Sequence, residues 1–204
     1  MVATPVPLEL DVETLRHEIQ KEYREVADHP DQGFHFHTGR ALAKIVHYRE
    51  EWLAAVPEEV LASFAGTGNP ISMGEMKPGE KVVDPSCGAG IDSFIAASQV
   101  GPTGAVFGID MTPEMMEKAR WGAAKDKLPQ LVFKQGHLEE IPLPDHWANV
   151  VISNGVVNLS PDKVAAFREI YRVLKPGGRI QIADILVTKA VSAAAKNKID
   201  LWTG

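Results

Sequence analysis

The sequence has a single cysteine, Cys87, among its 204 residues. That excludes a disulfide within the chain and any zinc site built on cysteines. It has no excess of basic residues; the formal net charge is −6. No Lys/Arg cluster stands out, and an acidic chain gains nothing from neutralising phosphates, which argues against nucleic acid as a partner and against anionic membrane surfaces. No apolar run approaches the length of a membrane span. Met1 to Leu10 lacks the charged-then-apolar pattern of a signal peptide, so a cytoplasmic location is expected. There is no internal repeat and no low-complexity tract. What remains is an ordinary globular balance, 45% apolar and 24% charged, at a length suited to one domain with a small extension.

The first part of the chain reads as helical. Residues 1–10 read as a loose arm. Val12, Leu15, Ile19, Tyr23 and Val26 recur at intervals of three and four, which is one face of an amphipathic helix from Asp11 to Ala27, ended by Pro30 and Gly33. Trp52, Val56, Val60 and Phe64 suggest a second helix over Tyr48–Phe64, with Pro57 as a candidate break. Glycine and proline between Gly66 and Gly79 mark a linker. The expected division is therefore residues 1–76, a helical extension, and residues 77–204, the main domain.

After Gly79 strands and helices alternate. Strands are expected at Val82-Val83, Ala105–Ile109, Leu131–Phe133, Val150–Ser153 and Arg179–Val187. Between them lie helices from Ile91, from Thr112-Pro113-Glu114 and from Ser160-Pro161-Asp162. The last of these shows Val164, Phe167, Ile170 and Leu174 on one face and stops at Gly177-Gly178. Strand–helix–strand repetition with short connections implies an α/β fold: a Rossmann-like parallel sheet with helices on both faces.

The chemistry concentrates at the first two strand tips. Val82-Val83-Asp84-Pro-Ser-Cys-Gly-Ala-Gly90 is a strand, a glycine turn and a helix start, where bare backbone can approach a ligand. Asp84 closes the first strand. Asp110 closes the second, twenty residues beyond Gly90, a separation suited to a carboxylate that accepts hydrogen bonds from ribose hydroxyls. A nicotinamide-dependent oxidoreductase would show similar geometry. However, its third glycine is absent at Ser93, and Asp84 would repel a pyrophosphate where it would attract the ammonium group of an amino-acid tail.

Four stretches carry a resemblance: Asp84-Pro-Ser-Cys-Gly-Ala-Gly90, Gly108-Ile-Asp-Met-Thr-Pro-Glu-Met115, Val151-Ile-Ser-Asn-Gly-Val-Val-Asn-Leu-Ser-Pro-Asp-Lys163, and Phe167-Arg-Glu-Ile-Tyr-Arg-Val-Leu-Lys-Pro-Gly-Gly178. In their order the chain resembles the class I S-adenosylmethionine (SAM) dependent methyltransferases. Within them it is similar to the arsenite methyltransferases and their relatives near the ubiquinone/menaquinone C-methyltransferases. The resemblance implies SAM as cofactor. Asp84, Ser86, Cys87, Gly88 and Gly90 would cradle its methionine end, Asp110 would take the ribose and Met111 would pack on the adenine. Gly136, His137, Leu138 and Glu139 would meet the adenine edge, and Asn154 and Gly155 would lie beside the sulfonium. It also implies an N-terminal region, with Tyr23, that closes over the cofactor.

The departures bear on the acceptor. Ser86 stands at the loop's usual first glycine. Gly155 stands where arsenite methyltransferases carry a cysteine, and no other cysteine replaces it, which argues against holding trivalent arsenic by several thiolates. The family continues past the fifth strand with two more, so the sheet is expected to lack them and to leave an open edge, favouring a homodimer or an impaired, non-catalytic SAM-binding protein. A small-molecule acceptor is expected. In Gly33-Phe34-His35-Phe36-His37, two histidines project to one side of an extended segment. His35 or His37 is thus a candidate base. The alternative is a loop with Phe34 and Phe36 packed inward, and no third ligand is visible for a metal.

Overall fold

The computed structural model describes residues 11–186, 188 and 189. Five strands form one sheet in the order β3-β2-β1-β4-β5: β1 Lys81–Pro85, β2 Ala105–Asp110, β3 Leu131–Gln135, β4 Ala148–Asn154 and β5 Leu174–Ala183. Every pairing is parallel. The connections are α5 Ile91–Val100, α6 Pro113–Lys125 and α7 Lys163–Val173. Ahead of the sheet run α1 Val12–Asp28, α2 Gly39–Ile45, α3 Glu50–Leu53 and α4 Glu58–Leu61. No helix among the described residues is long and apolar enough to cross a membrane.

Strand side chains alternate between two cores. Val82, Val106, Val150 and Ile152 face a large cluster with α5, α6 and the N-terminal helices. Val83, Ile109 and Val151 face a smaller one under α7. The N-terminal segment therefore shares its core with the sheet: Val26, Trp52, Leu61 and Phe64 sit in the same cluster as Phe94 and Val106.

α1 forms as its periodicity predicts, with the Asp11 carboxylate accepting from the Thr14 amide at its N-cap. The expected helix over Tyr48–Phe64 is instead two single turns, α3 and α4, because Pro57 breaks it and caps α4. Its apolar residues are buried all the same. α2 lies between the two segments expected to be helical, where no element was expected.

Two expectations about α7 are corrected. Its cap is Asp162, which accepts from the Ala165 amide, rather than Ser160. The stripe that faces the sheet is Ala166, Ile170 and Val173; Val164 and Phe167 are exposed. Both stripes are apolar, and the smaller one lets the helix lie closer to the sheet. The helix also ends at Val173, not at Gly177: Lys175 precedes Pro176, which disfavours helical backbone. β5 begins at once, and the Pro-Gly-Gly run becomes an irregularity in its register with β4. Val187, the expected strand end, lies outside the described residues.

Arg172 ties α7 to the segment between β3 and β4. It donates to Glu169, to Asp145, and to the carbonyls of Ile141 and Leu143. Glu169 in turn accepts from the Ile141 amide at 2.9 Å. Arg172→Ala is expected to lower unfolding free energy by about 1–2 kcal/mol, since the carbonyls lose a charged donor but the site is partly solvated. A shift in the urea midpoint at constant slope would check this.

Candidate cofactor site

The sheet's strand order reverses between β1 and β4, and a crevice opens at the carboxyl ends of the strands there, as parallel sheets dictate. It holds about 990 Å³ of space. β1 ends in Asp84 and the chain then turns through three left-handed residues, Ser86 (φ 66°), Gly88 (φ 55°) and Gly90 (φ 97°), before entering α5. Gly90 has no alternative, since a Cβ there would lie 2.6 Å from the Phe133 ring. Ser86 takes the same backbone region with a side chain, at a cost of about 1–2 kcal/mol.

Three carboxylates form the floor. Asp84, Asp92 and Asp110 are 2%, 4% and 8% exposed. Asp110 accepts from the Gly88 amide at 2.9 Å and the Thr112 amide at 2.8 Å, so it fastens the glycine turn to the β2–α6 turn. Asp84 accepts from the Ser93 hydroxyl at 2.6 Å. Asp92, in the first turn of α5, accepts from the Tyr48 hydroxyl at 2.5 Å and from Asn154 Nδ2 at 3.0 Å. Burial raises all three above the usual carboxylate range, Asp92 to about 6, and at Asp84 the Asp92 charge adds to burial. None forms an ion pair among the described residues. The arginine in the cleft wall, Arg16, is engaged by Glu13 at 3.0 Å and Glu139 at 3.4 Å. A buried anionic floor without a protein cation fits a ligand that is itself cationic.

α1 crosses the cleft as a strap. Arg16, Gln20 and Arg24 lie one turn apart on one face. They reach Glu139, the Met111 carbonyl (2.9 Å) and Glu114 (2.5 Å). Tyr23, half-buried beside them, has its phenol pushed up to about 12 by burial and by the Asp110 charge.

Of the residues expected from sequence, Tyr23, Asp84, Ser86, Cys87, Gly88 and Gly90 line this one cleft. So do Asp110, Met111, Gly136, His137, Leu138, Glu139 and Asn154. Gly155 adjoins it without lining it; a Cβ there would meet Thr67 Cγ2 at 2.8 Å. Glu139 is held by the Ser160 hydroxyl at 2.5 Å and by Arg16. His35 and His37 are exposed and are not among the residues that line the cleft. Phe34 and Phe36 stack at 5.4 Å and pack on the core, which turns the histidines outward. The Cys87 thiol is pushed up by burial and by the neighbouring carboxylates, which makes it a poor nucleophile. Sequence reasoning missed Asp92, although an acid two residues past Gly90 is a visible signal. Arg16 carries no local signal, because folding brings it to the cleft from afar, as it brings Gln20 to the Met111 carbonyl and Tyr48 to Asp92.

Residues 76–203 match the methyltransferase domain family. The chain belongs to that family. Its place is among the class I SAM-dependent methyltransferases, on the arsenite methyltransferase-like branch. The chain is 50% identical over 139 residues to an arsenite methyltransferase of Halobacterium salinarum, covering 68% of this chain and 36% of that one. It is 34% identical over 147 residues to one from Aquipseudomonas alcaligenes, covering 69% and 42%. Among solved structures, an arsenic (III) S-adenosylmethionine methyltransferase from Chlamydomonas reinhardtii aligns with a TM-score of 0.65 at 40% identity, over 72% of this chain and 51% of that chain. The methyltransferase chain thus spans less than half the length of these two curated relatives.

Ser86→Gly is expected to raise the domain's stability by up to about 1 kcal/mol, as relief of the left-handed strain outweighs the added freedom of the unfolded chain. Thermal unfolding would check it.

Proposed function

We propose that the chain is a SAM-dependent methyltransferase acting on a small-molecule acceptor other than arsenite. The observation that carries this reading is the anionic floor at adjacent strand tips, joined by a glycine turn and ion-paired to no basic side chain among the described residues. A dinucleotide's pyrophosphate would meet Asp84 and be repelled, whereas Asp84 would attract the ammonium of SAM and Asp110 would accept from its ribose hydroxyls.

Bound SAM would supply an activated methyl group on a sulfonium. The chain's own part is orientation and exclusion of water. Asp84 and the Gly88–Gly90 backbone fix the methionine end, and Asp110 the ribose hydroxyls. Met111 and Leu138 bound the adenine. α1 covers the cleft, so that an acceptor must approach the methyl group in line from the side of Asn154 and Val156. Tyr23 and Cys87 keep their protons at neutral pH, so neither is a base; the methyl acceptor supplies its own nucleophile.

The arsenite relatives do not carry their acceptor over to this chain. Cys87 is the single cysteine in the sequence, and its half-buried residue lines the cleft with no second thiol to share a soft metal. The packing of Thr67 against Gly155 leaves no space for a larger side chain at 155 without displacing that loop.

Asp84→Ala and Asp110→Ala are each expected to weaken SAM binding about ten- to hundredfold, the worth of a charge-assisted contact, with NAD failing to compete. Titration calorimetry tests this, and unchanged affinity in both variants sinks the reading. Transfer of labelled methyl from SAM to a panel of small acceptors then separates an enzyme from a SAM-binding protein without turnover.

A further inference from the structure

The cleft has walls of two kinds. The tips of β1 and β2 bring the carboxylates and the glycine turn. The rest is apolar: Ile19 of α1, Phe64 from the loop after α4, and Val156, Leu159 and Pro161 from the segment after β4. The polar side chains set among these are already engaged. Asn154 accepts from the Thr67 and Gly68 amides at 3.0 Å and donates to the Gly68 carbonyl, Asp92 and Tyr48. Ser160 donates to Glu139, and Ser63 to the Val26 carbonyl. Arg16 is held by Glu13 and Glu139. The exception is Tyr23, which lines the cleft and whose hydroxyl makes no hydrogen bond to a described residue.

Val156 and Leu159 stand apart in a second way. Both are half-buried, and neither packs into either core cluster, unlike Phe64. Apolar side chains that line a cleft without serving the core gain their burial from what enters it. We infer that the methyl acceptor is an uncharged small molecule with an apolar body and one polar group for the Tyr23 hydroxyl, and that Val156 and Leu159 select it. The inference rests on the SAM-site reading above.

Such a wall selects by desolvation. An acceptor must leave water to reach the methyl group. A carboxylate, sulfonate or phosphate would find no unpaired cation there among the described residues, and the floor would repel it. A protonated amine would be drawn to the floor, but it has no lone pair with which to attack. An uncharged apolar body loses little on entry and gains by burial. In the transfer, the acceptor's lone pair forms the bond to the methyl carbon. The pair of the breaking carbon–sulfur bond stays on sulfur and leaves S-adenosylhomocysteine, and any proton on the acceptor atom passes to water.

The experiment titrates the whole chain, loaded with S-adenosylhomocysteine, with two fluorescent probes at neutral pH. They share a ring system: 2-naphthol is uncharged, and 6-hydroxy-2-naphthoate adds a carboxylate. The naphthol is expected to bind at least about tenfold more tightly. Leu159→Lys puts a cation into the wall and is expected to cut that preference below about threefold, by raising affinity for the naphthoate. A merely structural role for Leu159 would weaken both probes alike. Tyr23→Phe is expected to cost the naphthol about three- to tenfold and to leave 2-methylnaphthalene, which has no hydroxyl, unaffected. If Leu159→Lys does not take up S-adenosylhomocysteine, Val156→Lys decides in its place. Equal affinity for the two naphthols, no naphthol binding to the loaded chain, or an unchanged preference in the lysine variant overturns this inference and leaves the SAM site standing. A chain that binds neither SAM nor S-adenosylhomocysteine overturns both.

Discussion

The structure depends on keeping three carboxylates out of water with no basic side chain among the described residues to neutralise them. Each is held by donors from elsewhere in the chain: Asp110 by two backbone amides, Asp84 by Ser93, Asp92 by Tyr48 and Asn154. Those bonds offset part of the desolvation cost and aim the remaining lone pairs at the cleft. They also explain the local shape. The Gly88 amide can reach Asp110 only if the loop folds back over the tip of β2, and that is what the run of left-handed residues achieves.

The same carboxylates recruit the N-terminal segment. Tyr48 and the Gly66–Asn69 loop arrive at the cleft through polar contacts with Asp92 and Asn154, while Trp52, Leu61 and Phe64 bury against α5 and α6. The strap α1 lies over the top. Lys118 of α6 holds its last turn by donating to the Ala27 carbonyl and to Ser63 at 2.8 Å. The segment that walls the site is thus part of the fold's main core.

The sheet was legible in the sequence because its signals are local. Val82-Val83, the Thr112-Pro113 helix start and the spacing from Gly90 to Asp110 each reflect backbone chemistry within a few residues. Thirteen of the fourteen residues expected around the cofactor line one cleft for the same reason: strand tips in a parallel sheet converge at the switch point. What failed was decided by tertiary packing. α7 offers two apolar stripes, and only contact with the sheet selects Ala166-Ile170-Val173. In the Phe34–His37 stretch the two readings differed only in which side chains face inward, and packing of Phe34 and Phe36 on the core turns the histidines outward. Asp92 was visible as a residue but not as a partner, because Tyr48 and Asn154 lie 44 and 62 positions away.

The strand order divides labour along the chain. Everything from β1 to β3 is occupied with the nucleotide-like half of the crevice, and its glycines, carboxylates and turns constrain one another closely. The segment after the switch point is fastened at its two ends, by Asn154 to the N-terminal wall and by Ser160 to Glu139, and is less constrained between them. Val156 and Leu159 can therefore vary without disturbing the first half. A lineage of such domains can diversify what it modifies by drift in one surface segment while the loading machinery stays fixed.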